Sequence, residues 1–341
     1  MSPRQRQVQM LAKAVAMAGC LMFTGLSGAQ DTTAYANANS LLHQGKDAEA
    51  AQAFEAPDEK QPSATDALLQ AAKARIHQQD YKSAETDLTR FLASHPRSDD
   101  ALYLLSFVYF REGFAKQSLQ AATRAAAIRR PTADDLKIVA LDYSLLGDFD
   151  DAAKYLEMAR EMDPRNAEIL YFLGRVRYQQ NRFDDATSAF RAVLSIDPEH
   201  VKAADNLGLA LEGKGDLESA EEAYRNAIEI EQKINNGYER PWLNLGRLLR
   251  ERNDLKDAIP ALRKAVEINS SSADALLELG KAEISASDLQ QARKDLERSI
   301  ELDANSIPAH YSLARLYKKI GEEGLAAKEF ALTEKLKQSS H

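Results

Sequence analysis

A unit of 34 residues recurs eight times between Thr65 and the neighbourhood of Lys337. The clearest copy runs from Ala167 to His200. The copy before it starts at Ala133 and the one after it at Val201, with no gap between them. A fixed period in this range builds a solenoid in which each unit packs on its neighbours, so the chain grows along one axis instead of closing a single core. Such an array offers extended surface, and surface binds.

The copies start at 65, 99, 133, 167, 201, 239, 273 and 307. Position 8 reads Ala72, Ser106, Ala140, Gly174, Gly208, Gly246, Gly280 and Ala314, and position 20 is likewise Ala or Ser in every copy. Small residues at two such places let a pair of helices approach closely. Between them lies a break at position 15, where Gly113, Gly147, Gly215 and Gly321, with Asn181 and Asn253, suit the left-handed residue that ends a helix. Asp follows at position 16 in five copies (Asp80, Asp148, Asp216, Asp254, Asp288), placed to cap the next helix or favour its positive end. Position 24 is apolar throughout, and Pro96, Pro164 and Pro198 at position 32 stop the second helix. The unit is helix, tight turn, helix, stop.

These residues, with Trp242 at the family's tryptophan position, resemble a tetratricopeptide repeat over about four-fifths of the chain. The resemblance implies an all-α fold, a right-handed α-solenoid of helix-turn-helix repeats. A degenerate capping repeat is expected over residues 30–64, where Gly45, Ala50 and Phe54 fall at positions 15, 20 and 24. The array proper is expected over 65–337. Four extra residues, Asn235 to Tyr238, interrupt the spacing before the copy at 239. They read either as a surface insertion or as a bend or contact ledge, and the second helix before them is expected to run about one turn longer. Pro260 is expected near the start of a second helix, where its missing donor has no intrahelical partner.

Residues 1–29 read as a signal peptide. Arg4, Arg6 and Lys13 precede an uncharged stretch from Ala14 to Leu26, and Ser27 and Ala29 form a small-residue cleavage site. The stretch is shorter than the ~20 residues that span a bilayer. Met17-Ala18-Gly19-Cys20 also resembles a bacterial lipoprotein box, so a membrane tether through Cys20 is the alternative to cleavage after Ala29. Cleavage there removes the sole cysteine, and the fold must then hold by packing alone. The formal charge of −8 becomes more acidic once that segment is gone, which argues against nucleic acid as a partner.

The six histidines make no pair at metal spacing, and neither a phosphate loop nor a nucleophile elbow is present. No catalytic residue, metal site or cofactor is expected, and no segment outside the repeats is long enough for a catalytic domain. The family resemblance implies a binding surface on the first helix of each unit, at positions 2, 5, 9, 12 and 13. Those positions give an aromatic set, Tyr103, Phe107, Phe110, Tyr171 and Tyr178 with Arg175, and a basic set, Arg247, Arg250, Lys281, Arg315 and Lys318 with Tyr311. Asn206 and Asn244, at position 6 of successive copies, are candidates for holding peptide backbone. The aromatics read equally as helix packing, and the cations as a solvated face. A carboxylate-clamp pattern is echoed only by Arg175, Asn206 and Arg240, with Tyr171 where a lysine would stand, so chaperone-tail binding is not expected.

The expectation is a non-catalytic adaptor, exported to the periplasm, that holds a protein or peptide partner within an envelope complex. The alternatives are an accessory subunit delivering a substrate or apo-protein to a membrane enzyme, as in cytochrome maturation, and a self-assembling array.

Overall fold

The computed structural model describes residues 62–339 and, before them, residues 38, 40, 41, 44 and 46–55. The export-type segment 1–29, Cys20 and Gly45 lie outside the described residues. Regular structure among the described residues is all helical. The chain divides into two compact units, one ending at Pro164 and one beginning at Arg165.

The first unit holds α1 (Asp47–Glu55) and three hairpins: α2 (Pro62–His77) with α3 (Tyr81–Ser94), α4 (Asp99–Arg111) with α5 (Ala115–Ala126), and α6 (Ala133–Leu145) with α7 (Phe149–Met162). The second holds five hairpins: α8 (Ala167–Gln179) with α9 (Phe183–Ile196), α10 (Val201–Lys214) with α11 (Leu217–Ile234), α12 (Arg240–Glu251) with α13 (Leu255–Ile268), α14 (Ala273–Ser285) with α15 (Leu289–Leu302), and α16 (Ile307–Lys319) with α17 (Glu323–Ser339). Within each unit the second helix of a hairpin packs on the first helix of the next, and successive first helices lie side by side. This is the tetratricopeptide solenoid architecture in each unit.

The hairpin turn follows from one backbone conformation. Every copy has positive φ at position 15, including Gln79 (64°) and Ser287 (63°), whose side chains gave no hint of it. The left-handed residue closes the first helix and aims the chain back. Each of the five aspartates then caps the second helix, accepting from the backbone N–H three residues on, as Asp148 does from Asp151 at 3.1 Å. First helices are capped by the residue before them, for example Ser98, Thr132, Asn166 and Ser272.

Close approach within a hairpin comes from small residues at position 8 under a large one at position 24. A Cβ added to Gly174 would stand 2.7 Å from the Phe190 ring, and one added to Gly280 would stand 2.7 Å from Leu296. Gly208 under Tyr224 is tighter still. Phe190, Tyr224, Leu262 and Leu296 are fully buried there and anchor the second unit's core. In the first unit Leu88, Leu102 and Val108 do the same. Ahead of the array, Ala38 and Ala50 form one buried cluster with Ala67 and Ala71 of α2.

Two irregularities resolve. Helix α11 has 18 residues where α9 and α13 have 14, so the second helix does run one turn longer before the insertion. Asn235 then ends it in the left-handed conformation, and the loop returns through Gly237. Pro260 corrects the sequence expectation. It is the sixth residue of α13, past the free donors of the first turn, so the helix forgoes its bond to the Lys256 carbonyl.

Candidate functional site

The candidate residues divide between the units. Tyr103, Phe107 and Phe110 belong to α4 in the first, and the other eleven belong to the second. On α4, Tyr103 is buried: its hydroxyl donates to the Arg129 carbonyl (3.2 Å) and the Arg129 guanidinium lies 4.4 Å from its ring. Phe107 meets Tyr81 edge to face at 6.4 Å. Both line a cleft of about 310 Å³ rimmed by Lys73, Asp100, Arg129 and Asp134. Phe110 is half-buried and is not among the residues lining it.

In the second unit, Tyr171 on α8 is wedged between His200 (5.0 Å) and Phe190 (6.1 Å), with Arg175 5.9 Å above its ring. Tyr178 packs against Phe183 at 5.6 Å. The two asparagines diverge. Asn206 donates to its own helix at the Lys202 carbonyl (2.7 Å). Asn244 is buried and donates to the Asp205 carboxylate (2.8 Å). Neither side chain presents a free amide ladder.

Asp205 is the centre that sequence reasoning missed. It is 2% exposed, accepts from Asn244 and from the Tyr238 hydroxyl (2.9 Å), and joins α10, the insertion and α12. Burial pushes its carboxyl up to about 6, against the pull of those two bonds. A carboxylate at position 5, where other copies carry Tyr, Leu or Lys, was the available signal.

The basic set is mostly answered from within the chain. Arg247 donates twice to Glu212 (2.7 and 2.9 Å), which also accepts from Tyr224. Arg250 (3.0 Å) and Lys281 (2.7 Å) share Glu278. Arg247–Glu212 binds α12 to α10 and Arg250–Glu278 binds α12 to α14, while Lys281–Glu278 lies within α14; together they neutralise the middle of the face. Tyr311, Arg315 and Lys318 on α16 are all exposed. Arg315 and Lys318 have no ion pair among the described residues.

Among the described residues no group of His, Cys, Asp and Glu is arranged to hold a metal, and no helix is long and apolar enough to cross a membrane. In the second unit the first-helix face offers aromatic side chains on α8, internally paired charge on α10, α12 and α14, and on α16 two cations without an ion pair among the described residues beside an exposed tyrosine.

Family models described as tetratricopeptide repeat match residues 140–201, 243–307 and 201–271. One described as an outer membrane lipoprotein matches 28–138. The chain is similar to the peroxisomal targeting signal receptor of Kluyveromyces lactis, at 26% identity over 188 residues, covering 53% of this chain and 32% of the receptor. It spans about a third of the length of such curated relatives. Two solved structures share the fold at 17% identity. A tetratricopeptide repeat protein of Parabacteroides merdae has a TM-score of 0.59, covering 74% of this chain and 98% of that one. The C-terminal part of a repeat protein of Cytophaga hutchinsonii has 0.57, covering 72% and 99%.

Proposed function

The chain belongs to the tetratricopeptide repeat family, and from that premise we propose that it is a non-catalytic scaffold of the cell envelope whose second unit holds a partner polypeptide along its first helices. The observation that carries this reading is the row α8, α10, α12, α14 and α16. Five first helices lie side by side, and Arg247–Glu212 and Arg250–Glu278 tie the middle three, α10, α12 and α14, together before anything binds. A pre-organised face loses little side-chain freedom on association. The receptor relative, whose name makes it a reader of a targeting signal, supports a polypeptide as the ligand.

The envelope part of the reading rests on two independent sequence features: the export-type segment 1–29, and the match to the outer membrane lipoprotein model over 28–138. We infer export to the periplasm with cleavage after Ala29. Mass spectrometry of the mature N-terminus separates that from a diacylated Cys20.

The binding role is tested in cells with a photo-crosslinking amino acid at Leu209 or Arg175 on the first-helix face, and at Lys256 on the exposed face of a second helix. A discrete adduct with another polypeptide from the first two positions supports the reading. Adducts from Lys256 alone, or from none of the three, contradict it.

A further inference from the structure

The five cations of the basic set on the first helices of the second unit fall into two groups. Arg247, Arg250 and Lys281 are each met by Glu212 or Glu278. Arg315 and Lys318 have no carboxylate partner among the described residues, although acids outnumber bases 52 to 44 in the chain. They also share a face. Tyr311, Arg315 and Lys318 stand at the i, i+4 and i+7 spacing that stacks side chains along one stripe of α16.

The stripe is free but its helix is not. His310, the residue next to Tyr311, is buried between the Glu329 carboxylate (2.6 Å) and the Ala304 carbonyl (3.1 Å). Near the other end of α16, Lys319 donates to the Ile284 carbonyl of α14 (3.2 Å). Tyr311 itself is 46% exposed, with its ring set edge to face against Phe330 at 5.8 Å. An exposed tyrosine alone needs no explanation. A tyrosine fixed by its neighbour, one and two turns from two cations unpaired among the described residues on a pinned helix, is a built contact: aromatic area and charge are both presented with little left to order.

We propose that Tyr311, Arg315 and Lys318 dock an acidic segment of the partner polypeptide, an apolar side chain resting on Tyr311 and two carboxylates meeting Arg315 and Lys318. This rests on the reading of the second unit's first-helix face as a polypeptide-binding surface. Charge complementarity selects the occupant, since guanidinium and ammonium groups free of internal partners pair best with carboxylates. The spacing narrows it further. Tyr311 to Arg315 rises about 6 Å and Tyr311 to Lys318 about 10 Å along the helix. An extended chain advances about 3.3 Å per residue and turns alternate side chains to one face, so the matching segment is apolar, any residue, acid, any residue, acid, with the long Lys318 stem spanning the remaining ~3 Å.

The test is fluorescence anisotropy of the mature chain with a labelled peptide, Ser-Gly-Leu-Ser-Asp-Ser-Glu-Gly, against its amide analogue with Asn in place of Asp and Gln in place of Glu. The acidic peptide is expected to bind about tenfold or more tighter, and to weaken as salt rises. Arg315→Gln with Lys318→Gln should reduce it to the level of the amide analogue, and Tyr311→Ala should weaken it by about threefold or more. Equal affinity for the two peptides overturns the proposal, as does unchanged binding by the double variant or no binding of either peptide at about 1 mM. Complete displacement by heparin together with an indifferent Tyr311→Ala also overturns it, because the stripe would then read anionic charge of any kind. Photo-crosslinks from Leu209 or Arg175 that persist while the acidic peptide fails would leave the scaffold reading standing and remove this one.

Discussion

The Tyr238 hydroxyl donates to the Asp205 carboxylate at 2.9 Å, tying the four-residue insertion to a first helix 33 residues earlier. The ring also packs against the cluster of Val201, Ala204, Ala227 and Ile230. The insertion is therefore a brace between successive hairpins, not a loose surface loop, and it occupies the place where other copies carry a capping residue.

Tyr238→Phe keeps the packing and removes the bond. We expect a loss of about 1–2 kcal/mol at neutral pH, read from urea denaturation. The sign with pH is fixed by Asp205, whose folded carboxyl is raised from 3.8 to about 6. Between those values the unfolded chain has released the proton and the folded chain retains it, so stability falls as pH rises through that window and levels beyond it. The variant should extend the fall to higher pH, because the carboxylate has one donor fewer.

Asp142 on α6 has no exposed surface, and neither carboxylate oxygen finds a hydrogen-bond partner. Burial pushes the carboxyl up to about 7. The same sign follows: stability drops from about pH 4 to pH 7 and is level above. Asp142→Asn should gain about 1–3 kcal/mol at pH 8 and little at pH 4, measured by thermal melts across pH. A gain of equal size at both pH values would contradict the assignment.

At the hairpin turns, Gln79 and Ser287 hold a left-handed backbone that costs a side-chain-bearing residue about 1 kcal/mol. Gln79→Gly and Ser287→Gly should each stabilise by about 0.5–1 kcal/mol, and Gly113→Ala, in open space at φ 81°, should lose a similar amount. Urea midpoints decide it.

Gly208→Ala drives a methyl into the buried Tyr224 ring, which is held by its hydroxyl on Glu212 and cannot swing aside freely. We expect a loss of about 2–4 kcal/mol, larger than for Gly280→Ala against the aliphatic Leu296. Equal losses would show that the tyrosine yields as easily as the leucine.

The hairpins, the five aspartate caps and the longer α11 were legible in the sequence because each depends on neighbours within one repeat. Position 15 was legible only where Gly or Asn marked it. At Gln79 and Ser287 the flanking hairpin imposes the left-handed turn on residues that do not ask for it. The ion pairs were not legible. Glu212 meets Arg247 and Glu278 meets Arg250 across successive repeats, and reading that needs to know which positions face each other between helices. Without it the basic set looked uniformly available, whereas Arg247, Arg250 and Lys281 are engaged and Arg315 and Lys318 are not. Pro260 lies deeper than expected: the Asp254 cap starts α13 early enough to leave the proline as its sixth residue, past the free donors of the first turn.

The most direct measurement is hydrogen exchange on the mature chain, alone and with the polypeptide that photo-crosslinking identifies. Added protection should fall on α16 and the other first helices of the second unit, α8, α10, α12 and α14, and leave the exposed faces of α9, α11, α13 and α15 unchanged. Protection centred on those second helices, or none at all, would contradict the claim that this unit grips its partner on the first-helix face.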